Sequence, residues 1–401
     1  MYNPRMLTCT NQRDLADEIA SIETYPEGVE RMLLKGSARM VRISQLEATA
    51  AMILKQELLA LDGDALIHPD VYLGQREIKT DALIFASLRQ LQELIARFRR
   101  IPLPAIQTLA NELAQTLAAY EAVDRGTLVL RNDQLHWGQR SYVAALLNVA
   151  GDSSQDARPD TTAELVNRIV QQADAALEAG ADLLVLDSTV TAADRQSVLV
   201  AIVKALTYQQ SRPLIVRGSE VTLIAAALQA GAQLVYDPAG LRTTTGSWNQ
   251  PLAALVAREG VPIVLSHAGW TGTDQPLPDT SESGMLAAII SDLHSRIDYA
   301  QSQGIKPTNL VLDPGLGTTK SPTQNRALLR RLAEIRSIGM PIMVTPGFTD
   351  AMPDEHIAMV TTLAIERGAD MLCSPRFEAC VRAARVTDTV LRSERLPMID
   401  H

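Results

Sequence analysis

The sequence predicts an α/β protein in which a small mixed α/β domain precedes a TIM (β/α)8 barrel. Strand-like apolar runs and helical runs alternate eight times from Tyr142 onward, over about 260 residues. Several predicted helices end alike, with a glycine just before the next strand, at Gly180, Gly231 and Gly368. Because a doubly wound open sheet usually has about six strands, the eight repeats favour the barrel.

Residues 1–120 form the predicted mixed α/β domain. Strand-like runs lie at 38–43, 65–67 and 82–85, and helical runs lie at 46–61 and 88–98. Ser87 is the predicted cap of the second helix. Pro102 and Pro104 then interrupt the pattern before a last helix that reaches Tyr120. His68 stands alone in a loop, and a structural role is the simplest interpretation of it.

Residues 121–140 are predicted to be a linker hairpin, because two short apolar runs flank the polar turn Arg-Asn-Asp. The barrel is assigned to residues 141–401. Its strands are predicted at 142–149, 183–186, 214–216, 234–236, 262–265, 310–312, 342–344 and 371–373. Its helices are predicted at 163–179, 192–206, 220–230, 251–258, 284–303, 324–338, 354–367 and 379–391.

Composition narrows the classes of partner. The net charge of −9 and the pI near 5.3 argue against nucleic acid. Cys9 is far from Cys373 and Cys380, and the three cysteines form no zinc pattern, which indicates a reducing compartment. No signal-peptide pattern is present, and no apolar run approaches the ~20 residues that a membrane helix needs. The sequence therefore predicts a cytoplasmic protein with no nucleic-acid or membrane partner.

Polar side chains follow most of the predicted barrel strands. The C-terminal ends of the strands form the functional face of a TIM barrel, so these side chains are the candidate site. They can bind a polar small molecule, or they can be caps and turn residues, and strand position leaves both interpretations open. The residues at these positions are Asn148, Asp187, Arg217, Asp237, His267, Asp313, Thr345 and Cys373 with Ser374.

Two of these positions carry the clearest signals. Asp313 ends an apolar run and precedes Pro314 and Gly315, so it is either a carboxylate at the rim of the barrel or a turn-forming residue. The loop that begins at Asn148 is polar through residue 156. Its oxygen atoms suit Mg²⁺ or a phosphate-rich ligand, and an ordinary loop is the alternative.

The order of four motifs resembles that of the dihydropteroate synthase family. Residues 147–153 (Leu-Asn-Val-Ala-Gly-Asp-Ser) are similar to the family's Leu-Asn-Val-Thr-Pro-Asp-Ser, and residues 312–317 (Leu-Asp-Pro-Gly-Leu-Gly) to its Leu-Asp-Pro-Gly-Ile-Gly. Residues 236–240 (Tyr-Asp-Pro-Ala-Gly) resemble Asn-Asp-Ile-Ser-Gly, and residues 264–267 (Val-Leu-Ser-His) resemble the Leu-Met-His segment. The N-terminal region resembles the extension of longer members, so the likeness covers nearly the whole chain.

The resemblance implies a reaction and a site. Members of this family join a dihydropterin diphosphate to p-aminobenzoate, with release of diphosphate assisted by Mg²⁺. By this likeness Asp313 hydrogen-bonds the pterin ring, Asn148 helps hold Mg²⁺ and diphosphate, and His267 faces the diphosphate. Asp313 and His267 are thus the candidate catalytic residues. The candidate substrate-binding residues are Asp313, Asp187, Asp237, Arg217 and Lys320.

Several family positions are replaced in this sequence. Val185 stands where the family has its second-strand acid, Arg217 replaces the third-strand Asp, and Tyr236 replaces the fourth-strand Asn. The segments that carry Ser-Arg-Lys and Arg-Val-His in the family fall here on residues 345–348 and 373–375, which lack those basic residues.

Three residues are candidates to compensate for these losses. Asp187, two residues beyond Val185, points to the same face of its strand and can stand in for the lost acid. Lys320 or Arg376 can likewise replace a lost cation.

Three functions stay open at this point. The first is dihydropteroate synthase or a diverged variant of it. The second is a pterin- or folate-dependent methyltransferase-like enzyme, which shares the barrel and the acid after the sixth strand. The third is a non-catalytic pterin-barrel protein with a binding or regulatory role. The resemblance also implies a homodimer, because barrels of this family commonly pair through their outer helices.

Overall fold

A computed structural model describes residues 4–7, 9, 12–22, 25–147, 149, 161–188, 195–209, 212–267, 281–317, 320–347 and 352–392. The chain divides into two compact units, residues 1–118 and 119–401. Each unit is built around a sheet of its own. None of the helices within the described ranges is long and apolar enough to cross a membrane. The cytoplasmic location stays a prediction.

The first unit is a three-stranded antiparallel sheet with helices, and it confirms the predicted mixed α/β region. Ala82 and Ile84 of the central strand share one core with the buried faces of three helices, Ala48–Leu59, Leu88–Phe98 and Pro104–Glu121. The strands are β1 (Ala38–Glu47), β2 (Asp64–Leu66) and β3 (Lys79–Ser87), in the order β1-β3-β2. The helices are α1 (Gln12–Ala20), α2 (Pro26–Gly36), α3 (Ala48–Leu59), α4 (Pro69–Tyr72), α5 (Leu88–Phe98) and α6 (Pro104–Glu121).

Local sequence explains two boundaries in this unit. Ser87 forms the predicted cap of α5 as a capping box, in which its backbone N–H donates to the side chain of Gln90 at 2.7 Å. The start predicted for α3 at residue 46 was wrong, because β1 continues to Glu47. The register of β1 shifts between Ile43 and Leu46, at Gln45 with φ 58°, and this bulge keeps Leu46 buried.

The second unit begins with the predicted hairpin, in which β4 (Thr127–Val129) pairs antiparallel with β5 (Gln134–His136). Leu128 and Trp137 are buried in the same cluster as the residues that fill the barrel interior. The hairpin therefore covers the N-terminal end of the barrel, opposite to the end where a site is expected.

Eight parallel strands form the predicted barrel. Consecutive strands are hydrogen-bonded neighbours, and the last strand of the series pairs with the first. A parallel bridge between Leu312 and Ile342 joins the two remaining edges, so the barrel is nearly closed. The strands are β6 (Tyr142–Leu147), β7 (Leu183–Asp187), β8 (Leu214–Arg217), β9 (Leu234–Asp237), β10 (Ile263–Ser266), β11 (Leu310–Asp313), β12 (Met343–Val344) and β13 (Met371–Ser374).

The outer helices follow their predicted positions with one exception. The helix predicted at 324–338 is an α-helix that ends at Arg330, followed by a 3-10 helix, Leu332–Ile338. Apolar residues at 332, 335 and 338 recur every third position, which suits the three residues per turn of a 3-10 helix. The helices are α7 (Thr162–Ala179), α8 (Arg195–Gln209), α9 (Val221–Ala230), α10 (Gln250–Glu259), α11 (Glu282–Ser302), α12 (Pro322–Arg330), α13 (Asp354–Glu366) and α14 (Phe377–Arg392).

The barrel is packed and is not a pore. Inward side chains such as Val185, Ile215, Val264 and Val311 fill its interior as one buried cluster. A second, larger cluster lies between the strands and the outer helices. With both faces of the sheet buried, the polar groups of this unit gather at the ends of the strands.

Candidate active site

Asp313 is the buried carboxylate at the C-terminal end of β11. Its Oδ2 accepts hydrogen bonds from the hydroxyls of Tyr236 and Ser266, both at 2.7 Å. Its Oδ1 accepts the backbone N–H of Gly315 at 2.8 Å. The turn-forming role is therefore visible at one oxygen, while the other oxygen accepts from side chains of β9 and β10. The role of Asp313 in binding a ligand stays a prediction.

Lys320 and His267 lie together beside this carboxylate. The Nζ atom of Lys320 is 3.3 Å from Nδ1 of His267, and only 7% of Lys320 is exposed. Burial lowers the pKa of Lys320 to about 8, although the charge of Asp313 acts in the opposite direction. Burial, with the positive charge of Lys320, lowers the pKa of His267 to about 3. At neutral pH the ammonium group therefore donates to Nδ1 of a neutral imidazole.

An ion pair on α11, between Asp292 and Arg296, lies next to this histidine. Oδ2 of Asp292 is 3.8 Å from Nε2 of His267, which is an attractive contact but too long for a hydrogen bond. Arg296, buried on the next turn, holds the same oxygen and also donates to the carbonyl of Gly240 at 2.8 Å. Gly240 has φ 58°, and a Cβ there would lie 2.0 Å from the guanidinium, so only glycine fits.

Asn325 fixes the loop that carries Lys320. Its side chain is fully buried in the first turn of α12. Its Oδ1 accepts the N–H of Gly317 at 2.9 Å, and its Nδ2 donates to the carbonyls of Gly317 and Lys320 at 2.6 and 3.0 Å. These three bonds tie both ends of the short segment together and set the position of Lys320.

A second charged pair lies at the ends of β7 and β8. Arg217 forms a salt bridge with Asp187, its register partner on the neighbouring strand. The guanidinium lies 5.3 Å from the centre of the Tyr236 ring. Burial, with the charge of Asp313, raises the pKa of Tyr236 well above its ordinary value, so the hydroxyl keeps its proton and donates.

Asp237 is directed into the turn that follows β9. Its carboxylate accepts the hydroxyl of Ser219 and the backbone N–H groups of Ala239 and Leu241. Burial raises its pKa, and these bonds lower it in part. The carboxylate thus anchors the loop whose carbonyls bind Arg296, and its predicted contact with substrate stays a prediction.

The structure brings together three of the predicted site residues, Asp313, His267 and Lys320, and pairs Asp187 with Arg217. Asn148, the predicted ligand of Mg²⁺, lies outside the described residues. The side chains that are described contain no group of three or more His, Cys, Asp or Glu residues that could hold a metal ion. Cys373 lines the barrel interior, where burial raises the pKa of its thiol to about 12.

Five residues of the site were not predicted from the sequence: Tyr236, Ser266, Asp292, Arg296 and Asn325. Tyr236 and Ser266 each precede a position that was searched, and only their hydrogen bonds in the folded structure show that they reach Asp313. Asp292 and Arg296 have the i, i+4 spacing of a helical ion pair, which was the available signal.

The fold agrees with comparisons to known proteins. A family model described as pterin binding enzyme matches residues 144–373, which is more than half of the chain. This protein belongs to the pterin-binding enzyme family. A dihydropteroate synthase of Synechocystis sp. is 26% identical over 276 residues, which cover 64% of this chain and 92% of that protein.

A longer relative also aligns with the N-terminal region. A probable bifunctional folylpolyglutamate synthase/dihydropteroate synthase of Halobacterium salinarum is 28% identical over 406 residues. The alignment covers 94% of this chain and 46% of that protein. The chain therefore spans about half the length of this relative.

Solved structures share the barrel. A dihydropteroate synthase from Xanthomonas albilineans in complex with 7,8-dihydropteroate has a TM-score of 0.54 and 26% identity, over 64% of this chain and 95% of that one. The enzyme from Clostridium difficile, solved in the presence of pteroic acid, has a TM-score of 0.54 and 24% identity, over 64% and 98%. About two thirds of this chain therefore has a counterpart in these solved enzymes.

Proposed function

We propose that this protein is a dihydropteroate-synthase-like transferase that joins a dihydropterin diphosphate to p-aminobenzoate. The observation that carries the proposal is the buried carboxylate of Asp313, held at the mouth of a pterin-family barrel beside the ammonium group of Lys320. A carboxylate is a good acceptor for the ring N–H groups of a pterin. A cation nearby suits the diphosphate that the same ligand carries.

The reaction is a substitution that involves a nucleophile, an electrophilic carbon and a leaving group. The amine nitrogen of p-aminobenzoate attacks the methylene carbon that carries the diphosphate, forming a C–N bond. The C–O bond breaks, diphosphate leaves with the electron pair, and the amine loses one proton. Positioning and electrostatic stabilisation of the leaving anion are the contributions that this site offers.

The charges at the mouth assign roles to individual side chains. Asp313 holds the ring, and Lys320 with Arg217 stabilises the negative charge of the departing diphosphate. With its pKa lowered to about 3, His267 is a weak base near neutral pH. Its role in this proposal is to hold the ammonium group of Lys320 in place through Nδ1, and the amine proton passes to water or to the leaving group.

Magnesium stays a prediction from the family resemblance. The acidic and imidazole groups that are described do not gather into a cluster fitting a metal ion, and Asn148 is not among the described residues. Assays with added Mg²⁺ and with a chelator test this prediction directly. The predicted homodimer likewise stays a prediction, tested by the mass of the protein in solution.

A binding protein without turnover is the second candidate. Two observations favour it: Tyr236 already occupies Oδ2 of Asp313, and Arg217 is neutralised by its salt bridge with Asp187. The first contact reduces the hydrogen-bonding capacity that Asp313 presents to a ligand, and the second reduces the positive charge that Arg217 presents to an anion. The methyltransferase-like alternative rests on the sequence alone.

The experiment supplies dihydropterin diphosphate and p-aminobenzoate together and follows diphosphate and dihydropteroate by mass spectrometry. We expect release that requires both substrates. In Lys320→Met, kcat/KM should fall at least about tenfold, which is about 1.4 kcal/mol of transition-state stabilisation. Lys306→Met, at an exposed position, is the matched control. Pterin binding without release would favour the second candidate, and absence of both binding and release would reject the proposal.

A further inference from the structure

Tyr236 occupies an acceptor oxygen that a ligand of this site would use. Its hydroxyl and that of Ser266 both donate to Oδ2 of Asp313 at 2.7 Å, while Gly315 donates to Oδ1 at 2.8 Å. A carboxylate has about four acceptor positions, two on each oxygen. The described residues therefore fill Oδ2 and leave one position, on Oδ1.

We propose that Tyr236 is a specificity-determining residue that limits Asp313 to one hydrogen bond with its ligand. The inference rests on the proposed function insofar as Asp313 is taken to be the acceptor for the ring. A pterin edge presents two adjacent N–H groups, and both can reach a carboxylate only if each oxygen has a vacant position. In this site the second N–H meets an oxygen that is already saturated, so the ring is recognised through a single N–H.

The buried position of Tyr236 keeps its hydroxyl bonded to Asp313. The side chain is 4% exposed and belongs to the cluster that fills the barrel interior. A hydroxyl displaced from Asp313 would be a buried donor without an acceptor, which is unfavourable. Burial also keeps the hydroxyl protonated, because it raises the pKa of Tyr236. The site therefore discriminates weakly between rings with one N–H and rings with two at this edge.

Two unreactive probes separate the two kinds of recognition. The first is 6-hydroxymethylpterin, with two adjacent N–H groups. The second is the matching pteridine-2,4-dione, in which one N–H lies between two carbonyls. We expect calorimetry to give dissociation constants within about threefold of each other for the wild type. In Tyr236→Phe, the pterin should bind about tenfold tighter than the dione, because Oδ2 of Asp313 gains a vacant position.

A second test variant and a control variant accompany this comparison. Ser266→Ala removes the other hydroxyl from Oδ2, so it should shift the ratio in the same direction even if Tyr236→Phe folds poorly. Tyr142→Phe is the matched control, because its hydroxyl accepts the backbone N–H of His136 at 2.8 Å at the opposite end of the barrel. Its ratio should equal that of the wild type, and thermal melts check that each variant is folded.

The outcomes distinguish this inference from the proposed function. If neither Tyr236→Phe nor Ser266→Ala changes the ratio, the inference is overturned, while diphosphate release by the wild type would still support the transferase. If no variant binds the pterin probe, the inference and the proposed pterin site fall together. A shift in both variants, with the control unchanged, supports Tyr236 as the residue that sets recognition.

Discussion

The Nζ atom of Lys320 lies 3.3 Å from Nδ1 of His267, and both side chains are largely buried at the mouth of the barrel. It is unfavourable for two basic groups at this distance to be protonated together, because their positive charges repel each other. The pair therefore holds one positive charge near neutral pH, on the lysine. This arrangement makes the stability of the protein depend on pH in two separate ranges, one for each residue.

Lys320 should make the protein more stable as the pH rises through the alkaline range. Its pKa is about 8 in the folded protein against 10.5 for an ordinary lysine, so between these values the unfolded chain binds more protons. The free energy of unfolding should rise by up to about 3 kcal/mol across this range. Urea unfolding at several pH values measures it. Lys320→Met should lack this rise, whereas the exposed Lys306→Met should keep it.

His267 should make the protein less stable as the pH falls below neutral. Its pKa is about 3 when folded and 6.5 in its ordinary state, so the unfolded chain takes up a proton that the folded protein refuses. Between pH 7 and pH 5 this costs about 2 kcal/mol. His267→Asn, whose amide oxygen can accept from Lys320, should lose this part of the acid sensitivity. The exposed His294→Asn serves as the control, and an equal loss in that variant would contradict the assignment.

Asn325 should matter both for stability and for the site. Asn325→Ala removes three hydrogen bonds and leaves the buried N–H of Gly317 without its acceptor, so we expect a loss of about 3 kcal/mol in unfolding. Asn309→Ala removes one bond, to Gly260 at 3.0 Å, and should cost about 1 kcal/mol.

The same variant tests the role of the loop in function. If Asn325 positions Lys320, then Asn325→Ala should slow diphosphate release at temperatures where the variant is still folded, and Asn309→Ala should not. Wild-type turnover in a folded Asn325→Ala protein would show that the position of this loop is unimportant for the reaction.

The repeated pattern of the chain was sufficient to predict the barrel. Each strand is a short apolar run with a helix after it, and these signals are local. The capping box at Ser87 was predictable for the same reason, because its two partners are three residues apart. The 3-10 helix at Leu332–Ile338 was missed because its every-third apolar spacing was interpreted as part of a longer α-helix.

The arrangement of the site was only partly predictable, because its contacts join distant parts of the chain. Asp313 was found from the turn that follows it. Its partner Tyr236 is 77 positions away on another strand, and nothing in the surrounding residues indicates the contact. Asp292 and Arg296 resemble an ordinary surface ion pair on a helix. Only the packing of α11 against the barrel shows that Arg296 is 1% exposed and lies behind His267.

In the proposed function, Asp313 accepts hydrogen bonds from a pterin ring at the mouth of this barrel. The most direct test is calorimetric titration of dihydropterin diphosphate into the wild type and into Asp313→Asn, with Asp298→Asn as an exposed control on α11. We predict that Asp313→Asn binds more than about tenfold more weakly, because a hydrogen bond to a charged acceptor contributes about 1.5–3 kcal/mol. The control should match the wild type. Equal affinity in all three proteins would place the pterin elsewhere and contradict the account.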